Sequence, residues 1–323
     1  MTTERAADAA AGRDDPGGLA GQVARLFFER QLTKVEIAGR LGISRFRVAR
    51  LLDLALADGL VRIEFRDAPA QDRDLAGRIR ARYRLASCLV AAADSDEAAV
   101  ARLGADELDG MVGRGDAIGI AWGSTMARVV RSVPARDDAT IDVVQLAGSS
   151  TSLGAGTDPG DLARVLAERL GARHHRLHAP AFVESSRLRT ALLRQPDVAA
   201  TVERFDGLAV ALLGIGAFGR ADAPSSSSLV RSGALGPDEV GRLAGLGAVG
   251  DLIVHPFTAD GRFVARELAE RAIAISIDQL RRVPAVIAVA AGPAKVAAIR
   301  GALQTGVVAS LVTDAATARG LLE

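Results

Sequence analysis

Residues 33–62 read TKVEIAGRLGISRFRVARLLDLALADGLVR, a stretch that holds two helix starts, a glycine stop and a basic face. Thr33 and Glu36 stand at Thr-x-x-Glu spacing, a capping box in which hydroxyl and carboxylate each satisfy a backbone N–H orphaned in the first helical turn. Val35, Ile37, Ala38 and Leu41 supply the apolar residues of that short helix. Gly42 can take the left-handed conformation that stops a helix without a Cβ clash, and Ile43 can plug the turn that follows. Ser44 is a good N-cap for a second helix, in which Val48, Leu51, Leu52, Ala55 and Leu56 recur at helical spacing and whose end Gly59 marks. The pattern predicts a helix-turn-helix, with the second helix as the recognition helix.

Arg45, Arg47 and Arg50 lie near the N-terminal end of that helix and outside its apolar set, where a recognition helix presents side chains to base edges and phosphates. Lys34, in the first turn of the first helix, and Ser44 complete the candidate DNA contacts. Arg62 and Arg66 follow in a short extended run, 61–65, that could form a small wing. A basic amphipathic helix with a solvated face would carry the same charges. The caps, the glycine turn and the plug are what single out double-stranded DNA as the partner. Residues 19–66 contain nine Arg and Lys against five Asp and Glu, a net of +4, whereas the residues beyond 66 sum to −1. The basic charge is therefore local to the predicted DNA head, and an oligomer would bring several such heads to one duplex.

Residues 1–18, rich in Ala, Gly and Asp and without hydrophobic periodicity, read as a disordered lead. The remainder divides into a DNA-binding domain at 19–66 and a larger domain at 67–323, for which a chain of 323 residues with 49 % hydrophobic composition is ample. A signal peptide and a membrane span are both absent from the pattern, and the single cysteine, Cys88, lies in a strand-like run without a disulfide partner, so a cytoplasmic location is expected. His174, His175 and His178 have no Cys or carboxylate at ligand spacing, which argues against a metal site. No cofactor is called for. Lysine occurs only at Lys34 and Lys295, against 38 arginines, so each can be weighed individually.

After a charged amphipathic stretch at 71–83 that reads as a linking helix, short apolar runs alternate with helical patterns. The runs are 88–92, 117–121, 141–146, 208–213, 285–290 and 307–312, and helical patterns follow most of them. Such alternation predicts a mainly parallel sheet covered on both faces, a Rossmann-like α/β domain whose ligand lies at the carboxyl ends of the strands.

Gly123, Ser124 and Thr125 fall between a strand and a helix, where a glycine turn and free helical N–H groups make a phosphate pocket or, equally, an ordinary helix start. Gly148, Ser149, Ser150 and Thr151 form a second hydroxyl-rich loop after the next strand, although Gly and Ser are also common turn residues. Residues 214–219, GIGAFG, match G-x-G-x-x-G, but the RADAPSSSS that follows cannot open the helix that a dinucleotide site requires. Asp251 could accept hydrogen bonds from sugar hydroxyls or cap a turn. Lys295, at another strand-to-helix junction, could hold an anion or be solvated.

In this order, the segments TKVEIAGRLGISRFRVARLL, IGIAWGSTM, VVQLAGSSTS, LLGIGAFG, GAVGDLIVHPFTADG and AAGPAKVAAIRGALQTGVVASLVTDAATARGLL resemble the SorC-type sugar-binding transcriptional regulators, nearly the whole chain being covered. The resemblance implies an effector domain with the fold of sugar-phosphate isomerases and deaminases, a sugar-phosphate effector, and a homodimer or homotetramer. It places Gly123, Ser124 and Thr125 around a phosphate, Gly148, Ser149, Ser150 and Thr151 along the same cleft, and Asp251 and Lys295 against the effector. Where the family commonly has an Arg-Phe-Phe-Asp-like run after its Gly-Asp pair, this chain has His255-Pro256-Phe257-Thr258. That departure leaves a different sugar phosphate or an unphosphorylated polyol open as effector. The alternative to a regulator is a sugar-phosphate isomerase or deaminase with a nucleic-acid-binding appendage, but the loops offer no convincing general acid and base pair.

Overall fold

The computed structural model describes residues 16–61, 69–154, 156–219, 225–233 and 235–323, and the chain separates into two compact units, Met1–Ala68 and Pro69–Glu323. In the first unit three helices, α1 (Pro16–Phe28), α2 (Lys34–Leu41) and α3 (Arg45–Ala57), enclose a small core. Ala20, Val23 and Ala24 of α1 meet Ile37 of α2 and Val48, Leu51, Leu52 and Ala55 of α3, all buried. Helix α1 begins inside the stretch that composition marks as lead, while residues 1–15 lie outside the described residues. The capping box forms: the Thr33 hydroxyl accepts the Glu36 N–H at 3.3 Å and the Glu36 carboxylate accepts the Thr33 N–H at 2.8 Å. Gly42 ends α2 at φ 65°, and Ser44 accepts the Arg47 N–H at 3.1 Å to start α3.

Val35 departs from the apolar set expected of α2, being 66 % exposed. In a helix this short one turn of residues reaches the core, and Ile37 fills that place. The expected wing, with Arg62 and Arg66, lies outside the described residues.

The second unit opens with α4 (Arg73–Tyr83), the stretch read as a linking helix. It buries Leu75 and Ile79, and the Tyr83 hydroxyl donates to the Leu321 carbonyl at 2.9 Å, so α4 is an integral part of the second unit. Then follow β1 (Ser87–Ala91), α5 (Glu97–Met111), β2 (Ala117–Ile120), α6 (Ser124–Ser132), β3 (Asp142–Gln145), α7 (Pro159–Leu170), β4 (Arg173–His175), α8 (Ser186–Leu193), α9 (Pro196–Glu203) and β5 (Val210–Gly214). The short strand β6 (Gly216–Ala217), α10 (Ser228–Arg231), α11 (Pro237–Gly245), β7 (Ala248–Leu252), β8 (His255–Thr258), α12 (Arg266–Ala269) and α13 (Ile277–Arg282) come next. The chain closes with β9 (Ala285–Val289), α14 (Val296–Gln304), β10 (Ser310–Asp314) and α15 (Ala315–Leu322).

Seven of the strands pair in parallel in the order β1-β10-β9-β5-β2-β3-β4, and β6, β7 and β8 form a small antiparallel sheet. The pleat sorts side chains between two cores. Along β5, Val210 and Leu212 join the core covered by α5, α6 and α7, while Ala211 and Leu213 join the one covered by α4, α14 and α15. Burial on both faces explains why six of these strands read as continuous apolar runs, while the edge strand β4, Arg173-His174-His175, is partly exposed and has none.

The strand order also contains a reversal. From β2 the chain moves outward to β3 and β4, then returns to β5 at the other side of β2 and moves outward again to β9 and β10. The loops after β2 and β5 therefore diverge from neighbouring strands and leave a crevice at their carboxyl ends.

Candidate functional site

The cleft of the second unit lies in that crevice. Its walls come from the loop after β2, the 214–216 turn after β5, the 226–231 segment, strand β7 and the junction after β9. Of the residues expected to bind an effector, Gly123, Ser124, Thr125, Asp251 and Lys295 meet here.

Gly123 has φ 121° and ψ 158°, a conformation that a side chain would strain, and it sends the chain from β2 into α6. Helix α6 begins without a side-chain cap, so its first N–H groups remain for a ligand or solvent, with the partial positive charge of the helix end behind them. Ser124 is exposed and Thr125 half-buried beside them. The Lys295 ammonium approaches from the β9 junction and donates to the Ile215 carbonyl at 3.3 Å. Burial holds its pKa below the usual lysine value, opposed by the attraction of Asp251.

Asp251 is 2 % exposed. Its carboxylate accepts from the Ser227 hydroxyl. Burial pushes the carboxyl pKa up to about 7, against the opposing pull of the Ser227 hydrogen bond and of Lys295. It sits on strand β7, so it is not a turn cap, and a Cβ on the facing Gly216 would overlap its carboxyl group. The turn after β7 places Ile253 against the cleft at φ 61°, a costly conformation for a β-branched residue.

Arg231 and Ser228 are cleft residues that sequence reasoning missed. The Arg231 guanidinium donates to the Ser228 hydroxyl at 3.2 Å, and both face the same space as Lys295. Their signal was the serine run at 225–228, read only as an obstacle to a dinucleotide helix. Next to the cleft, a second hollow shares Ser124, Thr125, Arg231 and Lys295 and adds Arg128, which pairs with Glu97 at 2.7 Å.

Gly148, Ser149, Ser150 and Thr151 do not line this cleft. Asp158, the N-cap of α7, takes up their polar groups: its carboxylate accepts the Ser149 hydroxyl at 2.9 Å and the Ser150 N–H at 3.0 Å. Gly148 donates its N–H to the Ile273 carbonyl at 2.8 Å, and Thr151 is exposed. The loop is thus held as structure rather than offered to the cleft. The His255-Pro256-Phe257-Thr258 run forms β8, wholly buried. His255 donates from Nε2 to the Ile275 carbonyl at 2.9 Å, and burial lowers its pKa to about 4, so it is neutral at pH 7.

After Gly214 the GIGAFG segment enters β6 rather than a helix, in keeping with the rejection of a dinucleotide site; residues 220–224 lie outside the described residues. Among the described residues no group of three His, Cys, Asp or Glu is placed to hold a metal, and no helix is long and apolar enough to cross a membrane.

On α3, Arg45, Arg47 and Arg50 are exposed, as are Ser44 and Lys34. Ser44, Arg47 and Arg50 share an open face of the helix with Phe46.

The sugar-binding domain family "Sugar-bind" matches residues 67–323. The chain belongs to this family. It is 32 % identical over 315 residues to the erythritol catabolism regulatory protein EryD of Brucella abortus, covering 96 % of this chain and 98 % of that protein. The deoxyribonucleoside regulator of Bacillus subtilis is 27 % identical over 307 residues, covering 93 % and 96 %. The crystal structure of the full-length sorbitol operon regulator SorC of Klebsiella pneumoniae superposes with a TM-score of 0.72 at 27 % identity, covering 96 % of this chain and 100 % of that one. These relatives are transcriptional regulators rather than enzymes, and the chain is a regulator of the SorC type.

Proposed function

We propose that the unit at 19–66 reads operator DNA through α3 and that the cleft of the 67–323 unit binds a sugar phosphate or a related polyol that sets operator affinity. Lys34, Ser44, Arg45, Arg47 and Arg50 are the DNA contacts in this reading. Gly123, Ser124, Thr125, Asp251 and Lys295, joined by Ser228 and Arg231, hold the effector. The observation that carries it is the convergence, at one strand-order reversal, of an uncapped helix start and the cations Arg231 and Lys295. Those groups suit an anion, and the adjoining Asp251 carboxylate suits sugar hydroxyls. The names of EryD and SorC point to erythritol and sorbitol metabolism, which favours a polyol or its phosphate here.

A symmetric homodimer or homotetramer would present paired α3 helices to half-sites about 34 Å apart. A ligand that changes their placement then changes how many heads engage at once. Such a regulator works in the cytoplasm, where operator and effector meet.

Thermal-shift measurements with matched pairs of polyols and polyol phosphates test the cleft. The phosphorylated member of a pair is expected to raise Tm more, and replacing Ser124 and Thr125 together with Ala is expected to abolish that preference. Equal shifts from both members, unchanged in the double variant, would remove the phosphate from the assignment. A ligand that shifts Tm yet leaves operator binding unaltered would refute effector control.

A further inference from the structure

Phe46 stands on the first turn of α3 and is 69 % exposed. The residues that α3 turns into the core are Val48, Leu51, Leu52 and Ala55, so Phe46 does not serve packing of the unit. The guanidinium of Arg45 lies 4.9 Å from the centre of its ring, a cation–π contact that steadies the ring on the surface. Ser44, Arg47 and Arg50 share its open face, with Asp53, Leu54 and Ala57 further along the helix. At the start of α3 the ring stands among the cationic groups of Arg45, Arg47 and Arg50, which matches a surface that is anionic overall and carries isolated apolar features. An apolar protein partner would instead have to desolvate those arginines.

We propose that Phe46 is a specificity-determining residue that selects thymine at one position of each half-site by packing on its 5-methyl group. The inference rests on α3 being the recognition helix. The major groove displays one apolar group, the thymine methyl, and residues at the start of a recognition helix are those that reach the groove floor. The neighbouring arginines hold phosphates and guanines, which fix register; Phe46 supplies a contact that no charge can supply. Burying one methyl group against the ring corresponds to about a four-fold preference per half-site.

The test uses the full-length protein. Selection from random duplexes identifies the preferred site, and each conserved thymine is then replaced singly with deoxyuridine, which removes only the methyl group. One position is expected to lose about four-fold in affinity per half-site in the wild-type protein. Phe46→Ala is expected to be indifferent to that replacement, and Phe46→Leu, which keeps an apolar contact, to retain part of the discrimination. Arg50→Ala serves as comparison, weakening binding and lowering its salt dependence while keeping the sensitivity to deoxyuridine. Wild-type affinity insensitive to deoxyuridine at every position, or a Phe46→Ala protein equally sensitive, overturns the proposal while leaving α3 as reader. Absence of any sequence preference in the wild-type protein overturns both.

Discussion

Asp251 is the residue whose surroundings make the sharpest statement about pH. A buried acid with a folded pKa of about 7, against an ordinary carboxylate value near 4, binds its proton more tightly in the folded chain than in the unfolded one. Its contribution to stability is therefore complete below about pH 4 and is lost as pH rises through about 7. Asp251→Asn keeps an oxygen acceptor for Ser227 and removes the titration. The Tm of the variant minus that of the wild type is expected to grow between pH 5 and pH 8 in a melting series. A difference that stays flat would show that the carboxyl is not held in its protonated form. The residues of the cleft are partly legible in the sequence. Gly123, Ser124, Thr125 and Lys295 sit where strands give way to helices, and that position is written in the alternation of apolar runs. Arg231 and Ser228 were not, because a serine run beside a proline has no period, and its role depends on where the chain folds back. Ser149 and Ser150 misled because hydroxyls suited to an effector suit Asp158 equally well, and only folding places that carboxylate beside them.

At the scale of elements, six of the seven parallel strands and most of the covering helices followed from runs of Val, Ile, Leu and Ala, whereas the edge strand β4, Arg173-His174-His175, has no apolar run to read. The three-stranded antiparallel sheet did not, since a two-residue strand such as β6 has no pattern, and β8 includes Pro256 and is buried throughout. Helix α1 was missed because Gly17 and Gly18, poor helix formers, mask the spacing of Ala20, Val23 and Ala24. The small sheet nevertheless controls the cleft. In Gly216→Ala the new Cβ meets the Asp251 carboxyl group across the β6-β7 pair, so denaturant unfolding is expected to show a loss on the order of 1–3 kcal/mol, together with loss of any ligand-induced shift. Gly77→Ala, in the interior of α4 with open space around it, is expected to stabilise by about 0.5–1 kcal/mol and to leave ligand shifts intact. If Gly216→Ala matched the wild type in both readouts, the close approach of β6 to Asp251 would be wrong.

At the scale of the whole molecule the chain forms two compact units, and under the proposal that one reads DNA and the other senses an effector, their link is thermodynamic as well as covalent. Should an effector weaken operator affinity tenfold, operator must weaken effector affinity tenfold. Titration calorimetry of the effector, with and without saturating operator duplex, is expected to give the factor found by DNA-binding titration of the same protein. Unequal factors would mean that a third species, such as a change of oligomer, takes part in the cycle. The reversal of strand order between β2 and β5 has a practical consequence for anyone wishing to retarget this sensor. The cleft is lined in part by side chains from a segment that lies outside the large sheet, so libraries confined to Ser226, Ser228 and Arg231, with Gly216 and the buried Ile215, Ser227 and Leu229 kept, can search for new ligands while the scaffold stays folded. Excised peptides would carry none of the recognition, because β2 and β9 contribute opposite walls from distant parts of the chain.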